Sequence, residues 1–358
     1  MTLSPVFRSK EAVALLEAQG VWARMAPDIA AQADAVRRIY SDFGEVLGGG
    51  FIGEAPHVPT ASEGTREAGL HFLQEYFFLI LFRSIFRSLG VDEARLGTYT
   101  ELNFCIKGTI TAADNIFDDQ AKTLLPLDAG SGSRFMSILQ LMSFERLSRR
   151  VLDRAEAAGI LDAGQRDAVL KGLLDRMASI GRLEGSEEGG VSEIPTPEDM
   201  VERVHRIRGG ALFALAFVAP SVLESGEMGE RFAAAEPAVA RLGTAFQIVD
   251  DLTDFEFDVG RRSHNLLVSH VHHQGTQEEK AALARFWEGE AVPPGVVETL
   301  FRGSARAVLE MAYREGRASF AVLREMGHWM DDSIADQVVQ AIVGLDGVAR
   351  MEALTSAE

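Results

Sequence analysis

An all-α helical bundle is predicted by three features of this chain. Apolar residues recur at helical spacing through most of its length, no run of alternating β-branched residues occurs, and glycines and capping residues punctuate the pattern. The composition agrees. With 47% hydrophobic and 25% charged residues over 358 positions, the chain is globular and neither disordered nor collagen-like.

The elements follow in order. Residues 67–89 predict a long helix, apolar-rich and without proline, closed by Gly90 as a C-terminal glycine should close it. Asp92 is placed to cap the next stretch, 98–119. Residues 134–158 predict a third helix, ended by Gly159, and 165–185 a fourth. Residues 185–200 are rich in Gly, Ser, Glu and Pro and read as an exposed loop. Thr196-Pro197-Glu198-Asp199 then reads as a helix start: a capping hydroxyl, a proline where no N–H is needed, and acids at the positive helix end. Helical stretches follow at 200–223, 231–254, 276–288, 296–315, 317–326 and 331–354, with a polar turn at 260–263. No long polar linker divides the chain. Residues 1–358 therefore read as a single all-helical domain, with 1–60 open to a reading as an accessory segment.

Charge and cysteine use narrow the function classes. There are 35 Lys+Arg against 53 Asp+Glu, a net charge of −18, which argues against a nucleic-acid binder. An anionic substrate would need metal ions to offset that charge. The lone Cys105 cannot form an intrachain disulfide, so a reducing compartment is expected. The first 20 residues lack the apolar run of a signal peptide, and the apolar run Phe77–Phe82 is far too short to span a bilayer. A cytoplasmic protein without a transmembrane segment is the expectation.

Two aspartate clusters carry the chemistry. One is Asp114-Asn115-Ile116-Phe117-Asp118-Asp119; the other is Asp250-Asp251-Leu252-Thr253-Asp254, continued by Asp258. Each holds carboxylates at i and i+4, one turn apart on one helix face. Asp disfavours helix interiors and like charges one turn apart repel, so the arrangement costs stability unless a cation sits between them. Hard oxygen ligands suit Mg²⁺, which takes one or two carboxylates together with phosphate oxygens. Two such walls could hold a Mg²⁺–diphosphate and assist its departure. Asp119 lies about 140° around the helix from Asp114 and is off that face.

Phe246-Gln247-Ile248-Val249-Asp250-Asp251-Leu252-Thr253-Asp254 resembles the second aspartate-rich motif, FQxxDDxxD, of the trans-isoprenyl diphosphate synthases. Asp114 to Asp118 resembles their first motif, DDxxD, with Asn115 for the second Asp. Arg208 to Phe213 resembles their KTGALF segment. The resemblance implies the isoprenoid synthase bundle around a central cavity, and Mg²⁺-assisted ionisation of an allylic prenyl diphosphate, with up to three Mg²⁺ ions. It assigns Asp114, Asp118, Asp250 and Asp254 to metal. Arg208, which replaces the family's Lys, is expected to act in catalysis and to bind diphosphate oxygens. Gln247, Asn115, Phe246, Arg261 and Arg262 are the further substrate-binding candidates. A homodimer is implied by the resemblance alone.

The chain departs from that pattern in two places. It lacks the GGKRxRP segment that binds isopentenyl diphosphate in elongating members, and the stretch after the first motif, 120–124, holds a single Lys where they carry RRG. Losing charge-assisted hydrogen bonds worth about 1.5–3 kcal/mol each should weaken a second diphosphate site severely. Prenyl transfer then needs another acceptor site, for which Lys107, Arg134, Arg149 and Arg150 are candidates. The alternatives are a class I cyclase using one prenyl diphosphate, and a catalytically silent partner subunit of a prenyl synthase. Thr109, Ile110 and Thr111, one turn before the first motif, are small enough for a deep cavity. Phe104, Phe213, Phe217 and Phe246 are candidate carbocation stabilisers.

Overall fold

The computed structural model describes residues 10–59, 67–117, 121–128, 132–341, 350–351 and 353–355. Among them the helices are α1 Lys10–Ala18, α2 Val21–Val46, α3 Glu67–Leu89, α4 Glu93–Phe117, α5 Ser133–Ala157 and α6 Ala163–Gly185. They continue with α7 Pro197–Leu223, α8 Gly226–Thr253, α9 Phe255–Arg261, α10 Leu266–Gln274, α11 Gln277–Trp287, α12 Arg302–Glu325 and α13 Asp332–Ala341. No strand occurs among the described residues, only an isolated bridge between Ile52 and Leu127.

Several boundaries follow from the predicted chemistry. Gly90 ends α3 with φ 94°, and Asp92 Oδ1 accepts the Ala94 and Arg95 N–H groups, so α4 begins five residues before the apolar pattern does. The Thr196 hydroxyl accepts the Asp199 N–H at 3.2 Å and starts α7. One expected break is absent. The stretches 296–315 and 317–326 are not two helices: α12 runs through Gly316, and residues 296–301 are turns. Gly316 is there for packing, since a Cβ would come 2.6 Å from Val339 Cγ2 of α13.

The chain divides into two compact units. The first draws its described residues from the ranges 17–173 and 216–232; the second draws them from 10–16, 174–215 and 233–355. In the first, α2 packs on α3, α4 and α5, so much of the N-terminal stretch belongs to this unit's own core. Gly108 lets α4 close on Phe144 of α5, and Phe86, Phe217 and Phe232 meet with centroids 5.1–5.7 Å apart. Buried Asp28 of α2 accepts two hydrogen bonds from Arg87, at 2.6 and 3.0 Å.

The second unit is built on one apolar cluster. Ile248, Val249 and Leu252 of α8, Leu266 and Leu267 of α10, and Val308 and Leu309 of α12 all belong to it. By length and composition α7 could cross a membrane, but 61% of its apolar window is buried, as in a core helix. Residues Met200–Ala211 of α7 wind as a π-helix, a form frequent at functional sites. There Gly209 meets Gly243 of α8 backbone to backbone: a Cβ on Gly209 would lie 2.8 Å from Gln247 Cβ and 2.9 Å from the Gly243 carbonyl carbon. The Thr of the KTGALF pattern has no room at this position.

Candidate active site

In the second unit the acidic wall stands on the last turn of α8 and the residue after it. Asp254 N–H donates to the Asp250 carbonyl at 2.9 Å, so the two carboxylates are one turn apart. Asp250 is half-buried and Asp254 exposed. Asp251 between them is only 1% exposed and has a different task. Its carboxylate takes the Leu266 N–H at 2.5 Å, His205 Nε2 at 2.8 Å and Gln247 Nε2 at 3.3 Å. Gln247 Nε2 also donates to Asp250 Oδ2 at 3.2 Å, which ties anchor and wall together.

The helix dipole opposes the charge of this wall. A helix C-terminus carries the negative end of the macrodipole, so acids there are destabilising. Asp250 ends α8 in this way, and Asp114, exposed on the last turn of α4 in the first unit, ends that helix likewise. Asp258 is shifted first by its own burial and then by these neighbouring charges. Burial, then the charge of Asp251, raise its carboxyl well above the usual range against the hydrogen bond from Asn265, and Asp254 and Asp250 add to the rise. Part of the charge is balanced by Arg350, which donates to the Leu252 and Thr253 carbonyls at 2.7 and 3.1 Å and pairs with Glu256 and Glu298. The donor set of the wall is all oxygen, on short side chains, and fits Mg²⁺. Among the described residues no three His, Cys, Asp or Glu side chains form a metal-binding group; Mg²⁺ asks only one or two carboxylates of such a wall.

The other sequence candidates fall into distinct surroundings. Asp118 lies outside the described residues. Asn115 is buried, and both ends of its amide are in use: Nδ2 donates to the Lys122 carbonyl at 2.7 Å and Oδ1 accepts the Lys122 N–H at 3.1 Å. The pair of bonds clamps Lys122, on the chain beyond α4, to this helix. Arg208 pairs with Glu184 at 2.6 Å and with Glu187, and is 14% exposed. Burial works to lower its pKa, but the charges of Glu184, Glu187 and Asp251 hold it above the ordinary arginine value. Arg261 lies over the Phe257 ring, 5.0 Å from its centroid, while Arg262 adopts φ 56° at the end of α9 and donates to the Trp287 carbonyl at 3.1 Å. Phe246 meets Phe213 with centroids 5.6 Å apart, whereas Phe104 and Phe217 are fully buried core residues.

Four participants carry no motif. Glu187, from the stretch read as an exposed loop, is 7% exposed and joins Arg208 to His264, whose ring Nδ1 lies at 2.6 Å and whose N–H donates at 3.1 Å. Burial works to raise its carboxyl, but the His264 hydrogen bonds and Arg208 together bring it below the ordinary value. Asn265 caps α10 and donates to the Asp251 carbonyl at 2.7 Å and Asp258 Oδ2 at 2.8 Å. His205 and Arg350 complete the set. A histidine between buried Val204 and the Arg208 segment was the one visible signal.

No protein-family model matches the sequence, and no curated protein does. Solved structures do. The geranylgeranyl pyrophosphate synthetase of Pyrococcus horikoshii is 15% identical, with 90% of this chain and 98% of that one covered, at a TM-score of 0.60. A decaprenyl diphosphate synthase from Rhodobacter capsulatus is 19% identical, with 92% and 99% covered, at 0.59. A geranylgeranyl pyrophosphate synthase from Lactobacillus brevis is 12% identical, with 88% and 96% covered, at 0.56. The chain has the all-α fold of these isoprenyl diphosphate synthases.

Proposed function

We propose, from that fold and its acidic helix ends, that this chain is a Mg²⁺-dependent enzyme that ionises an allylic prenyl diphosphate and transfers the prenyl group to a carbon nucleophile. One observation carries the reading. Carboxylates stand at the C-terminal ends of α4 and α8, where the helix dipole opposes them, and on α8 the fully buried Asp251 is spent on holding the wall in place. Asp250 and Asp254 would hold Mg²⁺ in the second unit, and Asp114 with Asp118 in the first. When bound, Mg²⁺ supplies Lewis-acid assistance to the departing diphosphate. Gln247 orients Asp250, and Asp251 fixes the turn that carries it. Arg208, whose Nε and Nη2 are held by Glu184 and Glu187, has Nη1 to offer to diphosphate oxygens. Phe213 and Phe246 offer ring faces to a carbocation. The likeness also motivates a cytoplasmic homodimer as part of this reading.

A second reading, cyclisation of one prenyl diphosphate, is favoured by the state of the alternative acceptor cations. Lys107 is held by Glu75 at 2.5 Å, and Arg150 by Asp42 at 3.3 Å and by Glu45. Two of the four cations available to a second diphosphate therefore already have carboxylate partners. The deciding experiment is purified protein with Mg²⁺ and geranyl, farnesyl or geranylgeranyl diphosphate, each with and without isopentenyl diphosphate. A longer diphosphate formed only with isopentenyl diphosphate establishes prenyl transfer. A hydrocarbon or alcohol formed without it establishes the cyclase. No product, and no thermal stabilisation by millimolar Mg²⁺ with pyrophosphate, refutes both and leaves the silent subunit.

A further inference from the structure

His205 sits in the π-helical part of α7 with 0% of its surface exposed, and its Nε2 lies 2.8 Å from Asp251 Oδ2. Its Nδ1 is buried without a hydrogen-bond partner. A neutral ring with its proton on Nε2 satisfies this geometry: Nε2–H donates to the carboxylate, and the acceptor nitrogen is the one left bare. Asp251 in turn takes the Leu266 N–H and the Gln247 amide, so its carboxylate gathers α7, α8 and the start of α10. Asp250 precedes it by one residue, and Asp254 follows by three. The ring's hydrogen bond thus goes to the residue that lies between the two proposed metal ligands. Gly209, four positions on, brings the same stretch of α7 against α8.

We propose that His205 is a positioning residue for the Mg²⁺–diphosphate site: by donating to Asp251 it holds the last turn of α8 so that Asp250 and Asp254 keep the spacing that metal binding needs. This rests on the proposed function. Groups hydrogen-bonded directly to a metal ligand typically change metal affinity about 10–100-fold when removed, and His205, one residue further out, is expected near the lower end of that range. The test uses the full chain with Mg²⁺ and inorganic pyrophosphate as probes. Mg²⁺ is titrated at fixed pyrophosphate, with the thermal midpoint and titration calorimetry as readouts, for the wild type, His205→Gln and His205→Phe. Gln keeps a donor near the Nε2 position and should bind Mg²⁺ close to the wild type. Phe keeps the bulk without the donor and should need at least tenfold more Mg²⁺ for half-saturation. A Phe variant that melts lower but half-saturates at the wild-type Mg²⁺ concentration overturns the proposal, because a purely structural histidine behaves that way. Should the Phe variant not fold, ¹⁵N-histidine spectra of the wild type decide. His205 in the Nε2–H form, with resonances that move on adding Mg²⁺ and pyrophosphate, supports the proposal, and unmoved resonances overturn it. A wild type that binds no Mg²⁺–pyrophosphate refutes the proposed function itself, and this inference with it.

Discussion

Replacing Gly209 by alanine should destabilise the second unit although alanine is the better helix former. The added Cβ would stand 2.8 Å from Gln247 Cβ and 2.9 Å from the Gly243 carbonyl carbon, and nearer still to the carbonyl oxygen. Non-bonded carbons rest at about 3.5–4.0 Å, so α7 and α8 must part by roughly 1 Å. The obstacle is backbone, with no side-chain rotamer to relieve it. Overpacking of this kind costs about 3 kcal/mol at the upper end of its usual range, and the propensity gain of Gly to Ala returns about 1. The net loss of about 2 kcal/mol corresponds to a midpoint lowered by about 4–8 °C for a unit of this size. Thermal denaturation followed by far-ultraviolet circular dichroism reads it directly. Gly260→Ala is the matched control: it lies in α9 with nothing within 4 Å of its added Cβ, and should hold or raise the midpoint. A Gly209→Ala midpoint at or above the wild type would mean that the two helices do not meet through these glycines.

Other expectations test the site. Asp250→Asn removes a charged oxygen from the proposed wall and should lower Mg²⁺-dependent product formation about ten- to hundredfold, the worth of one charge-assisted contact; unchanged turnover would remove Asp250 from the metal set. Asn115→Asp restores the family's DDxxD letters, but it loses the Nδ2 donor to the Lys122 carbonyl and sets a carboxylate against that oxygen. It should destabilise by about 1–3 kcal/mol in denaturant titration and give no gain in activity. Glu187 titrates below the ordinary glutamate value in the folded chain, so its contribution is full above the unfolded value and is lost as pH falls through the folded one. Glu187→Gln should therefore lower the midpoint near neutral pH while making its decline between about pH 5 and pH 3 shallower than in the wild type. Parallel acid limbs for the two proteins would refute the assignment.

The helix starts and stops were legible because their chemistry is local. Gly90, Asp92 and Thr196 act within four residues of themselves, and each does in the structure what its type suggests. Gly316 misled for the same reason: read locally it breaks a helix, whereas its purpose is contact with Val339, twenty-three residues on. The i,i+4 carboxylates were legible because helical spacing alone puts them one turn apart. Which carboxylate stays buried was not, since the 1% exposure of Asp251 depends on Leu266 and His205, brought to it by other helices.

Motif letters and partners are thus decided at different levels. From the sequence alone came the all-α class, several of the long helices, the two acidic clusters and the chemistry they suit, since each follows from periodicity or from side chains a few residues apart. Only the tertiary structure decided that Asn115 clamps a loop, that Arg208 is held by Glu184 and Glu187, and that a glycine must stand where the family pattern has threonine. Those outcomes depend on desolvation and on contacts between segments far apart in the chain. No local pattern encodes the distance between a buried cation and the carboxylate that will neutralise it.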